Sequence, residues 1–169
     1  VVAFMTLFAK ETFSQNLMLN ANTHETTVER CAGYFYDNSS TGNYATSIDR
    51  WVTICPPASS ANTRTALTFE EFNIDPSDTV FIYQGVGINA PIMTTGNNIP
   101  YFQNQDLQGL TIMPSLMMNS PCLTLRLVSN GSATASGWKA KIECARDCQF
   151  PEASLDTFFY KYDSEGNMT

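Results

Sequence analysis

The chain contains a single histidine, His24, and only 15% of its residues are charged. With one imidazole, and no CxxC among Cys31, Cys55, Cys122, Cys144 and Cys148, the usual Cys/His zinc spacings are missing. There is no GxSxG and no HExxH, and Gly85-Val86-Gly87 lacks the further glycine and helix of a nucleotide fingerprint. A cysteine nucleophile would need the lone histidine beside it. A glycosidase would need carboxylates facing across a cleft, whereas Glu70 and Glu71 are neighbours on one strand. Catalysis is therefore not expected. Long apolar runs are missing too: Val1–Ala9 is too short to span a bilayer. Basic residues are outnumbered, giving a net charge of −7. That balance opposes nucleic-acid phosphates and anionic membrane surfaces, and it suits a calcium ion or a basic partner.

Sparse Glu and Lys leave little material for surface helices, and no window holds a helical period. Short runs of β-branched and aromatic residues separated by turn clusters are abundant instead. Leu17–Leu19, Val28–Phe35, Arg50–Ile54, Leu110–Met113, Cys122–Val128 and Trp138–Cys144 read as strands, the last two with clear alternation. Asp37–Gly42, Pro56–Thr63, Asn89–Gln108 and Ser129–Gly137 read as polar turns and loops. About eight or nine strands in one domain indicate an all-β sandwich. Residues 1–15 resemble the end of a secretory signal whose start is missing, residues 16–145 form the domain, and residues 146–169 are a linker and the start of a following module. Five cysteines in such a chain imply disulfides and an exported protein, with one cysteine left over.

The central stretch is Leu67–Gly85. Two apolar strands flank the turn Asp75-Pro76-Ser77-Asp78, whose two carboxylates are the chain's strongest candidate for a site. Asp-Pro-Ser-Asp is also sufficient turn chemistry without a metal, so both readings stand at this stage.

In order, Cys31, Gly42-Asn43-Tyr44, Trp51-Val52-Thr53-Ile54, Leu67-Thr68-Phe69 with Phe72, and Asp78 with Val80-Phe81-Ile82-Tyr83 and Gly85 form a pattern. It closes with Leu125–Ser132 and Gly137–Ile142. Over about residues 16–145 the pattern resembles a CUB domain, and within that family the CUB-like modules of Bacteroidetes surface and secreted proteins. The resemblance implies an extracellular antiparallel jelly-roll β-sandwich acting as a non-catalytic interaction module. It maps the calcium ligands of calcium-binding members onto Asp75, Asp78 and Asn130. Asn130 replaces a carboxylate by an amide, which calcium accepts. In that reading a partner's Lys or Arg docks on the same acidic end.

The family's disulfide pattern does not transfer, because Cys55 follows the Trp51 strand and nothing brackets Asp78. A hairpin around residues 129–137 would set Cys122 opposite Cys144, leaving Cys31 with Cys55 by elimination; Cys148 would belong to the following module. Each such bond would add roughly 3 kcal/mol in the chain-entropy model. Trp51 and Trp138 lie in alternating strands and are expected in the core, and His24 in a surface loop. Tyr101 and Phe102 are either stacking residues for a sugar or peptide, or a plug for the sandwich end. The partner is thus a protein, with or without calcium, or alternatively a glycan, the chain then serving as a carbohydrate-binding module or a structural spacer in an adhesin or secreted enzyme.

Overall fold

The computed structural model describes residues 16–146. The expected signal remnant, the segment beyond Arg146 and Cys148 lie outside the described residues. Among the described residues there is no helix and there are nine strands: β1 (Leu17–Met18), β2 (Thr26–Glu29), β3 (Tyr34–Tyr36), β4 (Asp49–Cys55), β5 (Thr63–Asn73), β6 (Thr79–Tyr83), β7 (Thr111–Ile112), β8 (Leu123–Val128) and β9 (Gly137–Arg146). They form a five-stranded sheet in the order β1-β3-β9-β5-β7 and a four-stranded sheet in the order β2-β4-β8-β6. The all-β sandwich is as expected from the sequence. Its central pairings are antiparallel, but the edge pairs β1–β3 and β2–β4 are parallel, so both sheets are mixed.

Alternation decides which side chains meet between the sheets. Trp138, Ala140 and Ile142 of β9, Leu67 and Phe69 of β5, Val52 and Ile54 of β4, Val80 and Ile82 of β6, and Leu123, Leu125 and Leu127 of β8 are all buried in one core. In β5 the period-2 pattern breaks between Phe69 and Phe72. A bulge absorbs the break: Phe69 faces Ala140, yet the next partners are Glu71 with Lys139. The extra residue, Glu70, shifts the phase, so Phe72 and Ile74 return to the core while both glutamates stay exposed. Glu70 then meets Lys139 at 2.7 Å on the outer face. The Nε1 of Trp138 is buried without a hydrogen-bond partner, its ring packed edge-on to Phe35, and nothing in the structure accounts for this.

Three expectations are corrected here. Val28–Phe35 is not one strand. β2 belongs to one sheet and β3 to the other, and the chain crosses between them through a bend that contains Cys31 and ends at Gly33, with φ of 107°. Trp51 is not in the core. Val52 and Ile54 point inward, so Trp51 is turned to the outer face and half-buried. Finally, the disulfides join Cys31 to Cys144 and Cys55 to Cys122. The expected Cys122–Cys144 hairpin fails because β8 and β9 lie in different sheets; residues 129–136 carry the chain from one layer to the other. Both observed bonds instead continue a strand register. The β4–β8 pairing reaches Ile54–Leu123, and the next opposed pair is Cys55–Cys122. The β3–β9 pairing, continued beyond Tyr34–Lys141, brings Cys31 to Cys144.

The bonds close chain separations of 113 and 67 residues, so each restrains the unfolded chain strongly. Peptide mapping without reductant is expected to recover Cys31–Cys144 and Cys55–Cys122. Replacing either pair by alanine should lower unfolding free energy by about 2–5 kcal/mol in urea titrations.

Candidate functional site

The Asp75–Asp78 turn closes the β5–β6 connection, and its two carboxylates do different work. Asp75 is half-exposed, and its Oδ1 accepts from the backbone N–H and the hydroxyl of Ser77, at 3.0 and 2.6 Å. Those donors hold its carboxyl below the ordinary range. Its other oxygen has no protein partner among the described residues. Asp78 is 1% exposed. Its Oδ1 accepts the Asn130 backbone N–H at 2.7 Å and its Oδ2 accepts the Tyr44 hydroxyl at 2.7 Å. A buried carboxylate without such donors would be costly, so these two contacts decide whether the turn can pack.

Tyr44 also serves as an acceptor: its hydroxyl receives the Asp75 backbone N–H at 2.9 Å. One phenol therefore ties both ends of the turn. Burial, then the neighbouring Asp78 carboxylate, raise its pKa well above that of a free tyrosine, so it stays a donor at physiological pH. Two more residues clamp the turn from the side. Gln103 donates through Nε2 to the carbonyls of Pro76 and Asp78, and Asn130 through Nδ2 to that of Ser77. The Asn130 Oδ1 accepts from the N–H and hydroxyl of Ser132. The structure thus brings Asp75, Asp78 and Asn130 to one end. Tyr44 appears in the sequence pattern only as part of a turn and Gln103 only within a loop; neither role at the site is encoded locally, because each lies more than 24 residues from the carbonyl or carboxylate it serves.

Asp37 lies at the same end and is fully buried. Its Oδ2 accepts the Trp138 N–H at 2.9 Å and its Oδ1 that of Ser39 at 2.6 Å. A Cβ on Gly137 would lie 1.6 Å from that Oδ2, and Gly137 has φ of 74°, so glycine is required there on two counts. Burial outweighs the N–H donors and pushes the Asp37 pKa up to about 6.

Calcium needs six to eight oxygen ligands. The donor atoms at this end are hard oxygens of the right chemistry: the open oxygen of Asp75, the Asn130 amide oxygen and Asp78. They are few, however: Asp78 is already engaged by two protein donors and the Asn130 oxygen by the N–H and hydroxyl of Ser132. Among the described residues no three His, Cys, Asp or Glu side chains gather as a metal group. Any ion here would draw most of its ligands from backbone carbonyls and water.

The other expected ligand-binding pair is divided by the structure. Phe102 is 4% exposed, and its backbone pairs with Val80, so it plugs the side of the core. Tyr101 remains half-buried on the outer side, edge-on to Phe81 with ring centroids 6.4 Å apart. The outer face of the four-stranded sheet continues as a row. The Arg126 guanidinium lies 5.8 Å from the Phe81 ring centre, Trp51 stands opposite Arg126, and His24 meets Trp51 edge-on. Asp49 grips Arg126 through two charge-assisted bonds and is held below the usual carboxylate range by it. His24 is in a turn, as expected, with its Nδ1 accepting the Trp51 N–H at 3.2 Å.

No protein-family model matches the chain, and no curated protein matches it in sequence. Solved structures do match in fold. The extracellular region of zebrafish Gpr126/Adgrg6 superposes with a TM-score of 0.55 at 17% identity over 71% of this chain, and the CUB1-EGF-CUB2 domain of human MASP-1/3 with 0.54 at 16% identity over 75%. The chain spans 14% and 46% of those two structures. A MASP-1 CUB2 domain bound to Ca2+ aligns with a TM-score of 0.48, too distant to carry an argument. The fold is CUB-like: a two-sheet β-sandwich.

Two outcomes are expected. Tyr44→Phe removes one donor to a buried carboxylate and one acceptor, and should cost about 1–3 kcal/mol in urea unfolding. Because Asp37 binds its proton more tightly in the fold than in the unfolded chain, its contribution rises as pH falls through about 6 and levels off below the unfolded value of 3.8. Between pH 7 and pH 5 the native chain should gain about 1 kcal/mol relative to Asp37→Asn, measured by chemical denaturation at each pH.

Proposed function

We propose that the chain is a non-catalytic, extracellular interaction module whose acidic loop end receives a cationic group of a protein partner. The observation that carries this reading is the Asp75–Asp78 turn, clamped by Tyr44, Gln103 and Asn130 yet leaving one Asp75 oxygen open. A rigid turn with a free carboxylate orders a charge without ordering cost at binding. Two observations support the non-catalytic part of the reading. The single imidazole already accepts from the Trp51 backbone, and Cys31, Cys55, Cys122 and Cys144 are tied up in disulfides. Those disulfides favour an oxidising compartment, so a secreted or surface location within a larger protein is part of the proposal. So is the assignment of residues 146–169 to a following module. No helix among the described residues is long and apolar enough to cross a membrane.

Calcium enters the proposal as a ligand of Asp75, Asp78 and Asn130, which would contribute a hard-oxygen corner and a negative charge that a partner's ammonium could also use. With so few protein donors, affinity in the millimolar range of extracellular modules is expected. Calcium at several millimolar should raise the melting temperature by a few degrees, and Asp75→Asn should abolish the rise. No shift at all removes the metal from this reading and leaves the charge interaction alone.

A second reading, carbohydrate binding, draws on the row of Trp51, Arg126, Phe81 and Tyr101 on the outer sheet face. Aromatic faces beside a planar Arg–Asp pair suit sugar rings and their hydroxyls. Glycan-array binding that is lost in Tyr101→Ala but kept in Asp75→Asn would select it over the first.

A further inference from the structure

A pocket of about 290 Å³ opens on the side of the sandwich where β6 and β7, the outermost strands of the two sheets, diverge. Its floor is Phe102 and Leu107, both buried members of the core, and its walls are Met93, Leu110 and Ile112. Leu110 is 49% exposed, so the mouth is apolar as well. The volume lies at the lower limit for small-molecule sites and suits one bulky side chain. One carboxylate, Asp106, lies on the lining.

The pocket adjoins the acidic turn. Gln103 donates its backbone N–H to the Asp106 Oδ2 at 2.8 Å and accepts the Asp106 backbone N–H through its carbonyl at 3.0 Å, while its side chain holds the carbonyls of Pro76 and Asp78. Asn104 and Ile74 exchange two backbone hydrogen bonds, at 2.8 and 2.9 Å. The segment 102–106 is thus one rigid strip with the turn on one flank and the pocket on the other. Neither Asp75 nor Asp106 has a cationic partner among the described residues, and the chain carries a net charge of −7. An apolar hole with the unneutralised carboxylate of Asp106 on its lining is complementary to an apolar side chain next to a positive one.

We propose that this pocket anchors a partner peptide through a bulky apolar side chain, with an adjacent Lys or Arg held by Asp106. The proposal deepens the loop-end reading by naming the partner's chemistry, and in that sense rests on it. The apolar anchor supplies the contact area, and the carboxylate selects the sign of the neighbouring charge.

The test is a two-dimensional amide NMR titration of the chain with N-acetyl-Leu-Lys-amide at millimolar concentration. N-acetyl-Leu-Glu-amide and N-acetyl-Ala-Lys-amide serve as controls. Saturable shifts are expected at Met93, Leu107 and Ile112, with Leu-Lys binding about threefold tighter than Leu-Glu, the scale of one exposed ion pair. Ala-Lys should leave those signals in place. Thr94→Trp, which plugs the mouth from an exposed position, should abolish the shifts, and Asp106→Asn should keep them while removing the preference for Lys. Shifts confined to Asp75, Ser77 and Asn130 would overturn the pocket and leave the loop-end reading intact. Pocket binding that persists while Asp75→Asn changes nothing in calcium response or partner affinity would sink the loop-end reading instead. Equal binding of Leu-Lys and Leu-Glu, or no shifts with any peptide, overturns the proposal.

Discussion

The loop end depends on the buried carboxylate of Asp78. A charge removed from water must be bonded or it drives the segment back into solvent. Here the Tyr44 hydroxyl and the Asn130 N–H meet its two oxygens, and these donors come from different parts of the chain. The β3–β4 connection, the β5–β6 turn and the β8–β9 crossover are therefore joined at one point. Gln103 adds the β6–β7 connection by holding the Asp78 carbonyl. Once these four are fixed, Asp75 is displayed rather than buried, and the end has a shape that a partner can read.

The opposite end is held by covalent bonds. Both disulfides continue antiparallel registers, so each fastens neighbouring strands of one sheet where the ladder stops. Nearby, the buried hydroxyls of Thr53 and Thr124 bond to each other and both accept the Gly87 N–H, which folds the Gly85–Gly87 loop over the outer sheet face. A side chain at Gly85, with φ of 151°, would press into Ala90 at 2.9 Å, so that loop is fitted to glycine. The molecule thus has one end closed by sulfur and small residues and the other by a hydrogen-bonded carboxylate.

Much of this was legible in the residues, and the failures have physical causes. Strict alternation in Cys122–Val128 and Trp138–Cys144 identified β8 and β9 and their inward faces, because a two-residue period leaves no choice once one face is apolar. Alternation along a strand does not say which sheet the strand joins. For that reason the expected Cys122–Cys144 hairpin does not form, and the stretch Val28–Phe35 divides between the two sheets. Trp51 lies in a strand as expected but in the outward phase, because its neighbours Val52 and Ile54 occupy the inner face. At the site, Asp75, Asp78 and Asn130 could be aligned with a family pattern, whereas Tyr44 and Gln103 act through contacts that no local spacing encodes.

The most direct measurement is hydrogen exchange at the Asn130 amide in calcium-free, chelated solution, comparing the native chain with Tyr44→Phe. If protein donors alone organise the Asp78 end, the Asn130 N–H will be strongly protected without metal and will lose that protection in the variant. Exchange at an unprotected rate in the native chain until calcium is added would contradict it, and would make the ion rather than Tyr44 the organiser of the site.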